Sequence, residues 1–176
     1  MSSLSKGLRK VQVTLQWDPS PIGAPDHDLD IVAATFTADA PHGKPVYLVH
    51  FGSRSPDGTI TLNRDSRTGQ GFGADEVMTL ELDRLAEEYA RVVVGVLIQQ
   101  HTGEKTFADI PNTGVRIAEG HTELASDDLS GVPGATAATF AEFTRDGAGA
   151  WQLRTAVHGF NTDPAGFADL LGTAAF

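Results

Sequence analysis

Arg91-Val92-Val93-Val94-Gly95-Val96-Leu97-Ile98-Gln99-Gln100 is a continuous apolar run closed by two glutamines. It is rich in β-branched residues and reads as a central strand buried on both faces. Strands surround it. Val11, Val13, Leu15 and Trp17 alternate with polar residues, the period-2 pattern of a half-buried strand. Ile31 to Thr37 and Pro45 to Phe51 are again β-branched and aromatic, and Val77 to Leu82 alternates. Gly114 to Glu119, Ala137 to Thr144 and Trp151 to His158 complete eight or nine expected strands. Asp57-Gly58 reads as a hairpin turn between Phe51 and Thr59, and Arg145-Asp146-Gly147-Ala148-Gly149 as a second. Trp17 and Trp151 fall in alternating strands as core residues.

Two short helices are expected. Leu82, Leu85, Ala86 and Tyr89 form an amphipathic stripe. Asp163-Pro164 supplies a cap and a first-turn proline, with a stop at Gly172, for a C-terminal helix over 164–171. Mainly β content at this spacing predicts a two-sheet β-sandwich with a few short helices, one of them at the C-terminus. No repeat or linker divides the chain, and one domain over 1–176 is expected.

Composition narrows the function. No cysteine is present, which excludes disulfides, thiolate nucleophiles and Cys-ligated zinc. No run reaches the roughly 18 apolar residues of a membrane span. Lys6, Arg9 and Lys10 near the start are followed by no apolar core of a secretory signal, so a cytoplasmic protein without an integral membrane segment is expected. The net charge of −10 argues against nucleic acid and anionic membranes as partners. Thirteen acidic residues against five basic ones lie between Asp18 and Glu88, so this acidity is concentrated.

Within that region Asp65-Ser66-Arg67-Thr68-Gly69-Gln70-Gly71-Phe72-Gly73-Ala74-Asp75-Glu76 brackets three alternating glycines with carboxylates. Glycine permits the φ > 0 geometry that wraps backbone carbonyls, with Gly69 and Gly71 as candidates, around a hard cation. Ca²⁺ takes six to eight oxygen ligands from carboxylates, carbonyls and water. Upstream, Asp28-Leu29-Asp30 offers two carboxylates on one face of a strand. The pattern points to a calcium loop rather than an enzyme. His27 and His50 form no His-x-His or His-x-x-x-His pair, and nothing joins Ser66, Thr68 and His50 as a triad. No Lys-Ser/Thr follows the glycines, so they are not a phosphate loop.

In order and spacing these segments resemble the TerD-type tellurium-resistance and general stress proteins of bacteria. The resemblance runs from Ser3-Leu4-Ser5-Lys6-Gly7 through Leu15-Gln16-Trp17-Asp18, Asp28-Leu29-Asp30, Ser55-Pro56-Asp57-Gly58 and the loop Asp65 to Glu76. It continues through Phe107-x-x-Ile110, Val115-Arg116-Ile117, Glu123-Leu124-Ala125, Asp128-Leu129 and Ala138 to Phe143. It closes with Gly149-x-Trp151-Gln152-Leu153-Arg154 and Gly159-Phe160. It implies a Ca²⁺-binding β-sandwich without catalytic chemistry, acting with other proteins of a stress-response complex. Residue by residue it carries over Asp28, Asp30, Asp65, Asp75 and Glu76 as metal ligands. Gln70, Phe72 and Ala74 stand where the family has acids or other ligands, and Phe51-Gly52 replaces an Asn pair. One Ca²⁺ site is therefore expected, and a second lacks its acids. A metal-free interaction domain of the same fold, with Phe72 as a contact, is the alternative. A metal-assisted hydrolase is the third reading, and it lacks a convincing general base.

Overall fold

The computed structural model describes residues 7–100 and 104–176, so Ser3 to Lys6 of the resemblance lie outside the described residues. Ten strands and one α-helix follow one another among the described residues. They are β1 (Lys10–Gln16), β2 (Leu29–Thr37), β3 (Tyr47–Val49), β4 (Ile60–Arg64), β5 (Glu76–Glu81) and β6 (Tyr89–Ile98). Then come β7 (Gly114–Glu119), β8 (Thr122–Asp127), β9 (Ala137–Arg145), β10 (Trp151–Phe160) and α1 (Pro164–Leu170). They form two five-stranded antiparallel sheets, ordered β4-β5-β1-β7-β8 and β10-β9-β6-β2-β3. The β-sandwich is as expected.

Alternation decides what each strand buries. Val11, Val13 and Leu15 of β1 face Ile31 and Ala33 of β2 and Val92, Val94, Val96 and Ile98 of β6 across the main core. The run at β6 is buried on both faces because α1 covers its other side. There Val93 and Leu97 join Val32, Phe36, Phe167 and Leu171 in a second cluster. Gly95 interrupts the valines for a steric reason: a Cβ there would lie 2.5 Å from the Phe167 ring. Asp163 caps α1 by accepting from Gly166 N at 2.7 Å. Trp17 and Trp151 are core residues. Among the described residues no helix is long and apolar enough to cross a membrane.

Two local expectations fail. The stripe from Leu82 to Tyr89 is not a helix: it makes a single tight turn at Leu82–Arg84, is extended at Leu85, and enters β6 at Tyr89, opposite Thr37. Isolated helices of two turns are marginal, and burial of Leu82 and Leu85 with β6 pairing outweighs the periodicity. Asp57-Gly58 is a turn, with Asp57 accepting from Thr59 N at 3.1 Å and Gly58 at φ 71°. It does not close a hairpin, because β3 and β4 belong to different sheets and the segment crosses the sandwich. The β9–β10 hairpin is as expected, with Asp146 N bonded to Ala150 O at 2.9 Å. Strand β8 was missed. Its signal was the two-residue Gly120-His121 turn, with Gly120 at φ 58°. The Pro45 to Phe51 strand shortens to Tyr47–Val49.

Candidate metal site

One end of the sandwich gathers the acidic segments. Leu15 near the end of β1 lies opposite Glu76 at the start of β5, and β2 begins at the same end. The loops 17–28 and 65–75 therefore leave the framework side by side. Trp17 ties them together. Its indole Nε1 donates to His27 O at 2.7 Å, and its backbone N donates to Asp75 Oδ2 at 2.8 Å. Gly69 packs on its ring so closely that a Cβ would lie 2.5 Å from Nε1, and its φ is 76°. Gly71 and Gly73 also have positive φ, as the alternating glycines predict.

Three of the five expected ligands converge. One carboxylate oxygen each from Asp30, Asp65 and Glu76 lies within 4.8 Å of the other two. Glu76 is fully buried and Asp30 is 2% exposed, whereas Asp65 opens to solvent. A gap in the sheet places Glu76. Strand β3 covers β2 only over Ala33 to Thr35, and beyond it Ile31 N donates to Glu76 Oε2 at 2.6 Å. Asp30 Oδ2 accepts from Gln99 Nε2 at 2.7 Å. The other oxygen of Glu76, Oε1, is buried and meets no N–H donor among the described residues, so its polar neighbours are the Asp30 and Asp65 carboxylates.

Among the described residues no ion pair neutralises Asp30, Asp65 or Glu76. Burial pushes Asp30 up to about 6, with the charges of Asp28 and Asp65 adding to the rise. Burial, and then the facing Asp65 and Asp30 carboxylates, push Glu76 up to about 12. An acid so displaced keeps its proton at neutral pH, where an ordinary glutamate is ionised. A hard cation would reverse that preference and satisfy Oε1 at the same time. The residues present therefore fit a metal ion.

The remaining candidates sit outside this set of three. Asp28 is buried beside Asp30. Asp75 is buried with its carboxylate engaged by Trp17 N, and burial raises its pKa. Neighbours in a strand point to opposite faces, so Asp75 and Glu76 serve different purposes. His27 is bonded through Nδ1 to Asp18 O, and His50 Nδ1 accepts from Gly52 N at 3.0 Å. Burial lowers the His50 pKa. Neither histidine joins the carboxylate group among the described residues. Gln70 and Phe72 are exposed on the loop, Phe72 at 98%, and Ala74 is half-buried. Sequence reasoning missed Gln99, whose only signal was a polar residue closing the apolar run.

Comparison with known proteins agrees with this architecture. A family profile described as TerD domain matches residues 1–170. A solved Streptomyces coelicolor A3(2) protein, described as a homologue of telluride resistance protein (TerD), is 60% identical. It superposes with a TM-score of 0.93 over 96% of this chain and 100% of that one. Tellurium resistance protein TerD of Alcaligenes sp is 28% identical over 165 residues, 91% of this chain and 85% of the relative. Stress response protein SCP2 of Bacillus subtilis (strain 168) is 27% identical over 171 residues, 88% of this chain and 85% of the relative.

Proposed function

The chain belongs to the TerD family, and we propose that it is a non-enzymatic, cytoplasmic Ca²⁺-binding module of a tellurium-resistance-like stress response. The observation that carries this reading is the convergence of Asp30, Asp65 and the fully buried Glu76, each of which brings one carboxylate oxygen within 4.8 Å of the other two. Asp30, Asp65 and Glu76 would hold the ion, with Asp28 adjacent and carbonyls of the Gly69–Gly71 segment within the same loop. All of these groups are oxygens, the donor set of Ca²⁺ rather than of zinc or copper. The bound ion supplies positive charge. The protein's own contribution is rigidity: Trp17 fixes both loops, so ordering one orders the other. Stabilised in this way, the loops present a defined surface to other proteins of the stress response, with Phe72 at the tip.

Two observations support the non-enzymatic reading over hydrolysis. Glu76 holds its proton against the sheet edge, and the neutral His50 ring accepts from the backbone. The test is a calorimetric Ca²⁺ titration of the protein and of Asp65→Asn. Saturable binding that Asp65→Asn weakens at least about tenfold supports the site. No binding at millimolar Ca²⁺ would leave a metal-free interaction domain, the reading that the solvent-exposed Phe72 favours.

A further inference from the structure

Beside the carboxylate cluster the crossing segment 50–59 and strand β4 enclose a cavity of about 470 Å³. Its walls combine the apolar Phe51 and Leu62 with Arg54, His50 and, from the metal cluster, Asp65. Arg54 is exposed and forms no ion pair with any carboxylate among the described residues. Four of the protein's other arginines are engaged within the chain. Arg84, Arg91 and Arg116 are each paired with a glutamate, and Arg145 lies over the Trp151 ring. Arg9, Arg64, Arg67 and Arg154 form no ion pair among the described residues, so it is the cavity beside the carboxylate cluster that sets Arg54 apart. A guanidinium left without a partner on the wall of a concave site, in a chain of net charge −10, is an unspent anion-binding group.

His50 adds a second donor. Its Nδ1 accepts from Gly52 N, so the neutral ring carries its proton on Nε2. Asp65 sets the condition. Ionised and bare, it repels an anion entering the cavity. With a divalent cation held by Asp30, Asp65 and Glu76, the three carboxylate charges are reduced to a net of one, which the Arg54 guanidinium on the wall balances. Three carboxylate oxygens also fill at most half of the six to eight positions that Ca²⁺ takes, which leaves room for water, loop carbonyls or a ligand oxygen.

We propose that this cavity is an oxyanion site that takes a phosphate group, held by Arg54 and His50, when the adjacent carboxylate cluster carries Ca²⁺. The proposal rests on the cation-site reading above. Phe51 and Leu62 offer an apolar wall to the organic part of a phosphomonoester or to the glycerol backbone of a lipid headgroup.

The test uses the full chain. Glycerol 3-phosphate is titrated calorimetrically into the Ca²⁺-loaded protein, into the chelator-treated protein and into Ca²⁺-loaded Arg54→Ala. In parallel, phosphatidylcholine vesicles with and without phosphatidic acid are sedimented with the same three samples. The expected result is phosphate binding by the Ca²⁺-loaded protein alone, weakened at least about tenfold in Arg54→Ala, which still binds Ca²⁺ as the parent does. Binding to glycerol 3-phosphate assigns the group to a soluble ester. Retention only by phosphatidic acid vesicles, lost in Arg54→Ala, assigns it to a headgroup. Unchanged phosphate binding by Arg54→Ala, or none to either probe with Ca²⁺ bound, overturns the oxyanion site alone. Failure of Ca²⁺ itself to bind overturns the cation-site reading with it.

Discussion

Two buried charge clusters divide the molecule, and they are opposite in kind. On the α1 side, Arg91 is 2% exposed and its guanidinium meets Glu142 at 2.7 Å. It also donates to the carbonyls of Pro41, Gly172 and Ala174 at 2.8–2.9 Å. Every charge there has a counterpart within the chain, and the cluster pins the C-terminal segment over the sheet. At the other cluster, Asp30, Asp65 and Glu76 face one another, and none of them is ion-paired with a basic side chain among the described residues. Burial makes the first cluster a fixed structural joint. The same burial makes the second an incomplete one, because like charges left together in a poor solvent must either hold protons or find a cation.

Breaking the complete cluster has the largest expected effect. Arg91→Met strands the Glu142 carboxylate in the interior and should cost about 3–5 kcal/mol in urea unfolding, with or without Ca²⁺. Completing the other cluster comes next. Ca²⁺ at a hundredfold excess over its Kd should stabilise the protein by about 2.7 kcal/mol, reversed by chelator, in thermal or denaturant melts. A melting curve unmoved by Ca²⁺ would erase the contrast between the two clusters.

The pH dependence should reveal the same difference. Asp30 without metal has a folded pKa near 6, above its unfolded value, so between about pH 4 and 6 the folded state binds more protons. Asp30 alone should therefore lower the stability of the chelated protein by roughly 2–3 kcal/mol as pH rises through that window, and the raised Glu76 carboxyl adds a fall of the same sign. Bound Ca²⁺ depresses the same carboxylates below their unfolded values, and stability should then rise with pH. Denaturant melts at pH 4.5 and 6.5, with Ca²⁺ and with chelator, should give slopes of opposite sign.

The smallest effect is the most diagnostic. Because Glu76 keeps its proton, Glu76→Gln replaces it with a neutral near-isostere that still accepts from Ile31 N. Chelated protein should change by no more than about 1 kcal/mol, while Ca²⁺ stabilisation disappears. A large loss of stability in the chelated variant would mean that Glu76 is ionised and structural.

Much of this was legible in the chain, for reasons that differ by region. The Arg91 to Gln100 run, the alternation of Val11 to Trp17 and the Asp163-Pro164 start are local patterns, and local patterns survive folding when tertiary packing agrees with them. Packing disagreed at Leu82 to Tyr89, where strand pairing took Tyr89. Composition pointed to the acidic segments, and three of their carboxylates do converge. It could not say that adjacent Asp75 and Glu76 divide their roles, one holding Trp17 and the other entering the triad. That division follows from long-range register, Leu15 against Glu76, and from the point where β3 stops covering β2. Neither is a local property. The Arg91 clamp was invisible for the same reason, since Arg91 and the Gly172 carbonyl are 81 residues apart in sequence.

The central claim, that Glu76 surrenders a proton to admit a cation, is tested most directly by counting protons. Ca²⁺ is titrated calorimetrically at pH 7 into the protein in buffers of different ionisation enthalpy. Release of about one proton for each Ca²⁺ bound is expected, because a ligand must be deprotonated before it coordinates, and Glu76→Gln should abolish both the binding and the release. Ca²⁺ binding of undiminished affinity in Glu76→Gln, or binding with no proton released, would contradict the account and move the cation to other oxygens.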